Sequence, residues 1–300
     1  MAPDENVLIR RIQELNAPLN AVAADIHPRL ERLPGLRAVL CDVYGTLLVS
    51  NAGASTNAHP PDRAAAFRAA LQALNCKVDA PTAERGVDLF NAVLASARAD
   101  RQASGIEHTE VDVRTIWTKV LNELRRRSAI KLDSNESLTA RVAIEYENRI
   151  NPVWPMPDVA SVISRLATDG WVLGIVSNAQ FYTPLTLTAL FGKKWKSWFA
   201  PSLCFWSYEH DEAKPGPNLY RRAATALKEL HGISPAQVVM IGNDVAHDIT
   251  PAQACGFRAI LFAGDRRACR VGNASQRQVA SWPWLTITHW PQIMDVIGKQ

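Results

Sequence analysis

None of the five cysteines, Cys41, Cys76, Cys204, Cys255 and Cys269, stands at Cys-x-x-Cys spacing from another. An odd, scattered set argues against a zinc site or a disulfide framework and fits a reduced compartment. No run approaches the about 18 apolar residues of a membrane span. The stretch from Met1 to Arg11 is charged and lacks the apolar centre of a signal peptide. A cytoplasmic protein without a membrane partner is therefore expected. Blocks of one charge are also scarce, since 33 Lys and Arg face 29 Asp and Glu for a net charge of +4. Arg125-Arg126-Arg127 and Lys193-Lys194-Trp195-Lys196 are the basic clusters. Each reads as a solvated helix end, so no nucleic-acid partner is expected.

What is present is ample core. Hydrophobic residues make up 47% of the 300, charged residues 21%. At roughly 150 residues per domain this length suggests one large domain or two. Residues 1–34 read as an accessory helical arm, with Val7, Leu8, Ile12 and Leu15, then Val22 and Ile26 after Pro18, at helical spacing. The loop from Ser50 to Pro61 is small, polar and proline-ended, a linker by composition. Helical periodicity then predicts four helices, over 62–75, 82–103, 109–127 and 134–150, with no strand between them. These define an all-helical insertion at 51–151, followed by a rigid return linker through Pro152, Pro155 and Pro157.

The remainder, 35–50 and 152–300, alternates strand and helix. Buried strands are expected at Ala38–Cys41, Trp171–Val176, Leu203–Trp206, Val238–Ile241 and Arg258–Phe262, with helices over 158–169, Thr183–Phe191 and Lys214 to about Leu230. Alternation of this kind gives an α/β fold with a parallel sheet and right-handed crossovers. Asp42, Ser177 with Asn178, and the pair Asp244 and Asp248 each follow a strand end, which a parallel sheet gathers on one edge. Lys214 falls near the same edge. Such a set can do chemistry: Asp42 as nucleophile, Ser177 and Asn178 as donors to a negative group, Lys214 as a fixed charge, and the acidic pair as part of a hard-cation site.

Taken together these residues resemble the haloacid dehalogenase superfamily of aspartate-nucleophile hydrolases, from about Ala38 to Phe262. Asp42 and Thr46 match its first motif, Ser177 its second, Lys214 before Pro215-Gly216-Pro217 its third, and Asp244 with Asp248 its fourth. The resemblance implies a Rossmann-like core, a helical cap between the first two motifs, and an aspartyl ester as intermediate. It also implies Mg²⁺ at Asp42, at Tyr44 through the main-chain carbonyl, and at Asp244 or Asp248.

Two positions depart from the phosphatase pattern. Tyr44 stands where those enzymes carry a second Asp, as in the 2-haloacid dehalogenase branch, which Tyr220 also fits. Asn243 replaces the first acid of the fourth motif, yet two acids follow it. A Mg²⁺-dependent phosphatase of a small metabolite is the expected function. The alternatives are a metal-independent dehalogenase and a catalytically weak member that binds a ligand or partner. Arg98, Arg101 and Trp117 of the cap are candidates to reach the substrate, and His247 to orient a carboxylate or to face solvent. The aromatic stretch Phe191 to Trp206 is expected either to pack under the arm or to form a homodimer contact.

Overall fold

The protein is described by a computed structural model over residues 4–50, 61–132, 135–272 and 285–298. The linker expected between Ser50 and Pro61 falls mostly at 51–60, outside the described residues. Strand β1 (Ala38–Cys41) is fully buried and lies at the centre of a six-stranded parallel sheet. On one side are β4 (Val172–Ser177) and β5 (Cys204–Trp206); on the other are β6 (Val238–Gly242), β7 (Arg258–Phe262) and β8 (Leu285–Ile287). The chain steps outward from β1 to β4 and β5, then returns to the other flank at β6. The strand order therefore reverses between β1 and β6, the crevice where open α/β sheets bind ligands.

Helices α6 (Val159–Thr168), α7 (Thr183–Phe191), α8 (Trp195–Trp198), α9 (Ser207–His210), α10 (Asn218–His231) and α11 (Thr250–Ala254) make the crossovers, and a last helix runs Ile293–Ile297. Two apolar clusters fill the faces of the sheet. One gathers Val39, Ile175, Ile241 and Ile260 with Trp195, Trp206 and Trp290. The other gathers Leu40, Met240 and Val176 with Leu219, Tyr220 and Leu227 of α10. The aromatic stretch is part of this interior: Trp195, Phe199, Phe205 and Trp206 are buried, and Trp195 Nε1 donates to Thr188 Oγ1 at 2.8 Å. Phe191 and Trp198 of the same stretch are partly buried and pack against this cluster.

Between β2 (Leu48–Ser50) and β3 (Val153–Pro155) lie α2 (Arg63–Gln72), α3 (Ala80–Ala103), α4 (Val113–Arg126) and α5 (Glu136–Ile150). Each begins at an acid or amide that accepts an orphan N–H: Asp62 from Ala65, Asp79 from Thr82, Asp112 from Arg114, Asn135 from Leu138. Caps of this kind contribute about 1 kcal/mol each. The four helices share their own core, in which Trp117 stacks on Phe67 at 5.3 Å and meets Phe90 at 4.5 Å and Tyr146 at 5.0 Å. Trp117 is thus a core residue and does not reach toward a substrate.

Three expectations need correction. The segment 152–157 is not a plain linker, because β3 pairs antiparallel with β2 and ties together the two chain crossings at the helical unit. The arm is helical only over α1 (Glu5–Leu15). Past Pro18 no helix follows up to β1, and Arg29 bridges Thr286 of β8, covering part of the outer edge of the sheet. Finally, Lys214 precedes a turn, and α10 begins at Asn218. Strand β8 and the β2–β3 ribbon are three residues per strand, too short for periodicity to show.

Helix α1 does more than cover a surface. Leu8 and Ile12 pack with Ala140 and Ile144 of α5 and with Leu185 and Ala189 of α7. Arg11 donates to both oxygens of buried Glu145, at 2.5 and 3.0 Å, and Asn16 joins Asn148 to the main chain of Val153. The arm thereby fastens the helical unit to the sheet.

Candidate active site

The loop after β1 is built to present a carboxylate. The Asp42 N–H donates to Ile241 O at 2.9 Å and so continues the β1–β6 pairing one residue past the strand. Gly45 then turns the chain with φ +87°, and a Cβ there would lie 2.6 Å from Ala268 Cβ and 2.7 Å from Asn243 Nδ2. Only glycine fits both the conformation and the space. Thr46 Oγ1 donates to Asn243 Oδ1 at 2.9 Å, while Asn243 Nδ2 donates to Ala268 O at 2.7 Å. Asn243 thus braces the loop of Asp42 against the loop after β6, and its side chain oxygen is engaged in doing so.

Asp42 is 5% exposed. Its Oδ1 accepts from Ser177 Oγ at 3.0 Å and from Lys214 Nζ at 2.6 Å. Lys214 is likewise buried; its Nζ also donates to Asp248 Oδ1 at 2.6 Å and to Val176 O at 3.1 Å. Burial works against the charged form of Lys214, but the pull of Asp248 and Asp42 outweighs it and raises the pKa. Burial pushes Asp248 up in spite of the ammonium. Gly242 makes this packing feasible, because a Cβ at that position would sit 2.3 Å from the Asp248 side chain.

The acidic pair divides its labour. Asp248 Oδ2 accepts from the Asp244 N–H at 3.0 Å, so the carboxylate faces inward on the strand end. Asp244 caps the π-helical turn Val245–Ile249, accepting from Ala246 and His247 N–H, and its Oδ2 is 2.9 Å from His247 Nδ1. Burial pushes Asp244 up, and the bonds from His247 outweigh it and hold its pKa below the usual value. Tyr220 is fully buried and donates to His247 O at 2.7 Å, pinning the same turn from α10.

Two candidate site residues bond to other protein groups. Asn178 clasps the main chain of Lys214, accepting from its N–H at 2.6 Å and donating to its carbonyl at 3.0 Å. It sets the position of the lysine. The Tyr44 hydroxyl lies 2.9 Å from Thr183 Oγ1 at the start of α7, and burial raises its pKa, so it is a neutral hydroxyl and not a base. Arg101 is ion-paired with Asp211.

Beside these residues is a cavity of about 150 Å³ between the sheet edge and the helical unit. Tyr44, Asn178 and Tyr182 line it from one side, Glu110, Glu147 and Asn151 from the other. Glu110 is bound through one oxygen to Val111 N–H and through the other to Ser207 Oγ, which also bonds the main chain of Ala179. Burial raises the pKa of both Glu110 and Glu147. Neither glutamate has a sequence signal, since each reaches the site from the helical insertion, whose spacing shows periodicity but not which end meets the sheet.

Comparison with known proteins identifies the family and the fold. A family model described as haloacid dehalogenase-like hydrolase matches residues 36–256. A 48-residue stretch, 16% of this chain and 16% of the relative, is 46% identical to a phospholysine phosphohistidine inorganic pyrophosphate phosphatase from Xenopus laevis. The fold is similar to that of a 2-haloacid dehalogenase from Pseudomonas syringae pv. Tomato DC3000, with a TM-score of 0.55 at 18% identity over 86% of this chain and 96% of that one. It is also similar to a HAD phosphatase from Thermococcus onnurineus, with a TM-score of 0.50 at 18% identity over 88% of this chain and 99% of that one. The family match runs through Asp42, Ser177, Lys214 and Asp248 and covers well over half of the sequence, and the chain belongs to the haloacid dehalogenase-like hydrolases.

Proposed function

We propose that this hydrolase is a phosphatase of small metabolites that works through an aspartyl phosphate on Asp42, with helices α2 to α5 as the cap over its site. The observation that carries the reading is a surplus of negative charge. Two buried carboxylates, Asp42 and Asp248, share the single ammonium of Lys214. A phosphate would add further negative charge there, and attack on phosphorus is then favoured by a divalent cation.

The donor set suits such an ion. Among the described residues Asp42 Oδ2 accepts no hydrogen bond, although the residue is nearly buried. No group of three or more His, Cys, Asp or Glu converges as a metal cluster among the described residues. Mg²⁺ needs no such cluster, because it retains waters and uses one or two carboxylates. It would be held by the Asp42 carboxylate and the main-chain carbonyl of Tyr44, with Asp244 or Asp248. When bound it neutralises phosphate oxygens and lowers the repulsion met by the nucleophile.

The chain's own residues supply the rest. Ser177 and Lys214 fix Oδ1 of Asp42, which leaves Oδ2 to attack in a set direction. Asn178 keeps Lys214 from withdrawing. Ser177→Ala is expected to lower kcat by about 10²–10³-fold, as for loss of a preorganised donor, with an unchanged melting profile. Wild-type kinetics in that variant would reduce Ser177 to a packing residue.

The second reading, a metal-independent dehalogenase, is favoured by the Tyr44–Thr183 contact, which puts a hydroxyl where the phosphatase pattern has a second carboxylate. Phosphate and halide release decide between them. Phosphate esters and 2-haloacids are each supplied with Mg²⁺ or with chelator. Phosphate release that stops with chelator is expected. Halide release indifferent to chelator, with no phosphate release, would reverse the assignment.

A further inference from the structure

A phosphatase of the proposed kind needs a proton for its leaving alkoxide, and the residue two places after the nucleophile, Tyr44, is a neutral hydroxyl held by Thr183. A Brønsted acid must come from elsewhere. We propose that Glu147, carried into the cavity by α5, is the general acid of the first step and the general base of the second. The inference rests on the phosphatase reading of the preceding section and names the residue that would complete it.

Place and bonding single out Glu147. It lines the same cavity as Tyr44 and Asn178, the residues that flank Asp42 and Ser177 along the chain. In this proposal the leaving group displaced from phosphorus at Asp42 departs into that cavity. Glu110 also lines the cavity, but its two oxygens are fixed by Val111 and Ser207. The bonds to Glu147 come from side chains. Its Oε1 accepts from Asn151 Nδ2 at 3.2 Å, and the Tyr182 side chain hydrogen-bonds the carboxyl. Burial raises the pKa of Glu147 against the opposing influence of these two bonds and of Arg63 on α2, which keeps a proton on it further toward neutrality. Acids tuned in this direction suit proton transfer near neutral pH.

The steps balance. As Asp42 Oδ2 bonds to phosphorus, the ester P–O bond breaks and the departing oxygen takes the proton of Glu147, giving an alcohol. Water then attacks the aspartyl phosphate at phosphorus and gives its proton to the Glu147 carboxylate. The bond to Asp42 breaks, inorganic phosphate leaves, and both carboxyl groups return to their starting states.

The test compares two leaving groups in Glu147→Gln, a near-isosteric change that keeps the Asn151 bond. With butyl phosphate, whose alkoxide needs a proton, kcat/KM is expected to fall by about 10²–10⁴-fold. With 4-nitrophenyl phosphate, whose aryloxide leaves unaided, the variant is expected to release a stoichiometric burst of 4-nitrophenolate and then turn over slowly, because the second step has lost its base. Glu147→Asp, which keeps a carboxyl, should recover part of the butyl phosphate activity. Wild-type activity of Glu147→Gln on butyl phosphate would overturn the proposal. So would an equal loss on both substrates without a burst in both variants. If the wild-type enzyme with Mg²⁺ releases phosphate from neither ester, the phosphatase reading falls and this assignment falls with it; the other two failures leave that reading standing.

Discussion

Asp42→Asn is expected to abolish turnover while leaving the fold as stable as that of the wild type. The loss should be of order 10⁴–10⁶ in kcat, the scale seen when a nucleophile that acts within a catalytic unit is removed. Asparagine matches the size of aspartate and still offers Oδ1 to Ser177 and Lys214. What it lacks is a charged oxygen able to form the ester. The stability half of the expectation follows from charge. Lys214 is shared by two carboxylates, so removing one charge leaves Lys214 and Asp248 as a balanced pair with their 2.6 Å contact intact. Unfolding midpoints equal to or above wild type, with phosphate release at background and intact mass showing no deamidation, would meet it. Retained turnover without deamidation would remove Asp42 as the nucleophile and with it the covalent route.

Much of this arrangement was legible in the sequence because buried parallel strands are written as short apolar runs. Ala38–Cys41, Val172–Ser177 and Val238–Gly242 each run straight into the residue that matters, and the parallel register brings Asp42, Ser177 and Asn243 to one edge. The four helices of the insertion were legible for a similar reason, since Ile116, Trp117, Val120, Leu121 and Leu124 fall on one helical face. Tertiary decisions were not. The arm past Pro18 carries Val22 and Ile26 at helical spacing, yet it forms no helix there, and main-chain bonds tie it to Arg266 and Thr286. Asn178 looked like a donor for a ligand, but the turn before α10 brings the Lys214 main chain against it. The acid that the cavity adds, Glu147, sits among α5 residues of ordinary periodicity and is distinguished only by what α5 faces.

Lys214→Met is expected to unfold most readily of all the substitutions considered, and to do so in a pH-dependent way. Lys214 is 4% exposed, and its ammonium donates to Asp42, Asp248 and Val176 O. Methionine fills the space but leaves two buried carboxylates facing each other without a counter-charge. Breaking a buried pair by removing one partner costs about 3–5 kcal/mol. The cost depends on whether the orphaned acids can be neutralised by protons. Burial already pushes Asp248 from 3.8 up to about 6 with Lys214 in place, so the native state binds a proton that the unfolded state has released between those values. Stability from this group therefore falls as pH rises through that window. Without the ammonium the folded-state pKa rises further, and the upper edge of the window moves with it. The variant should thus lose little near pH 5, where a proton replaces the missing charge, and most of its stability near pH 8. Urea unfolding of both proteins at the two pH values measures this directly. An equal deficit at both would mean that packing, and not charge, is what Lys214 supplies.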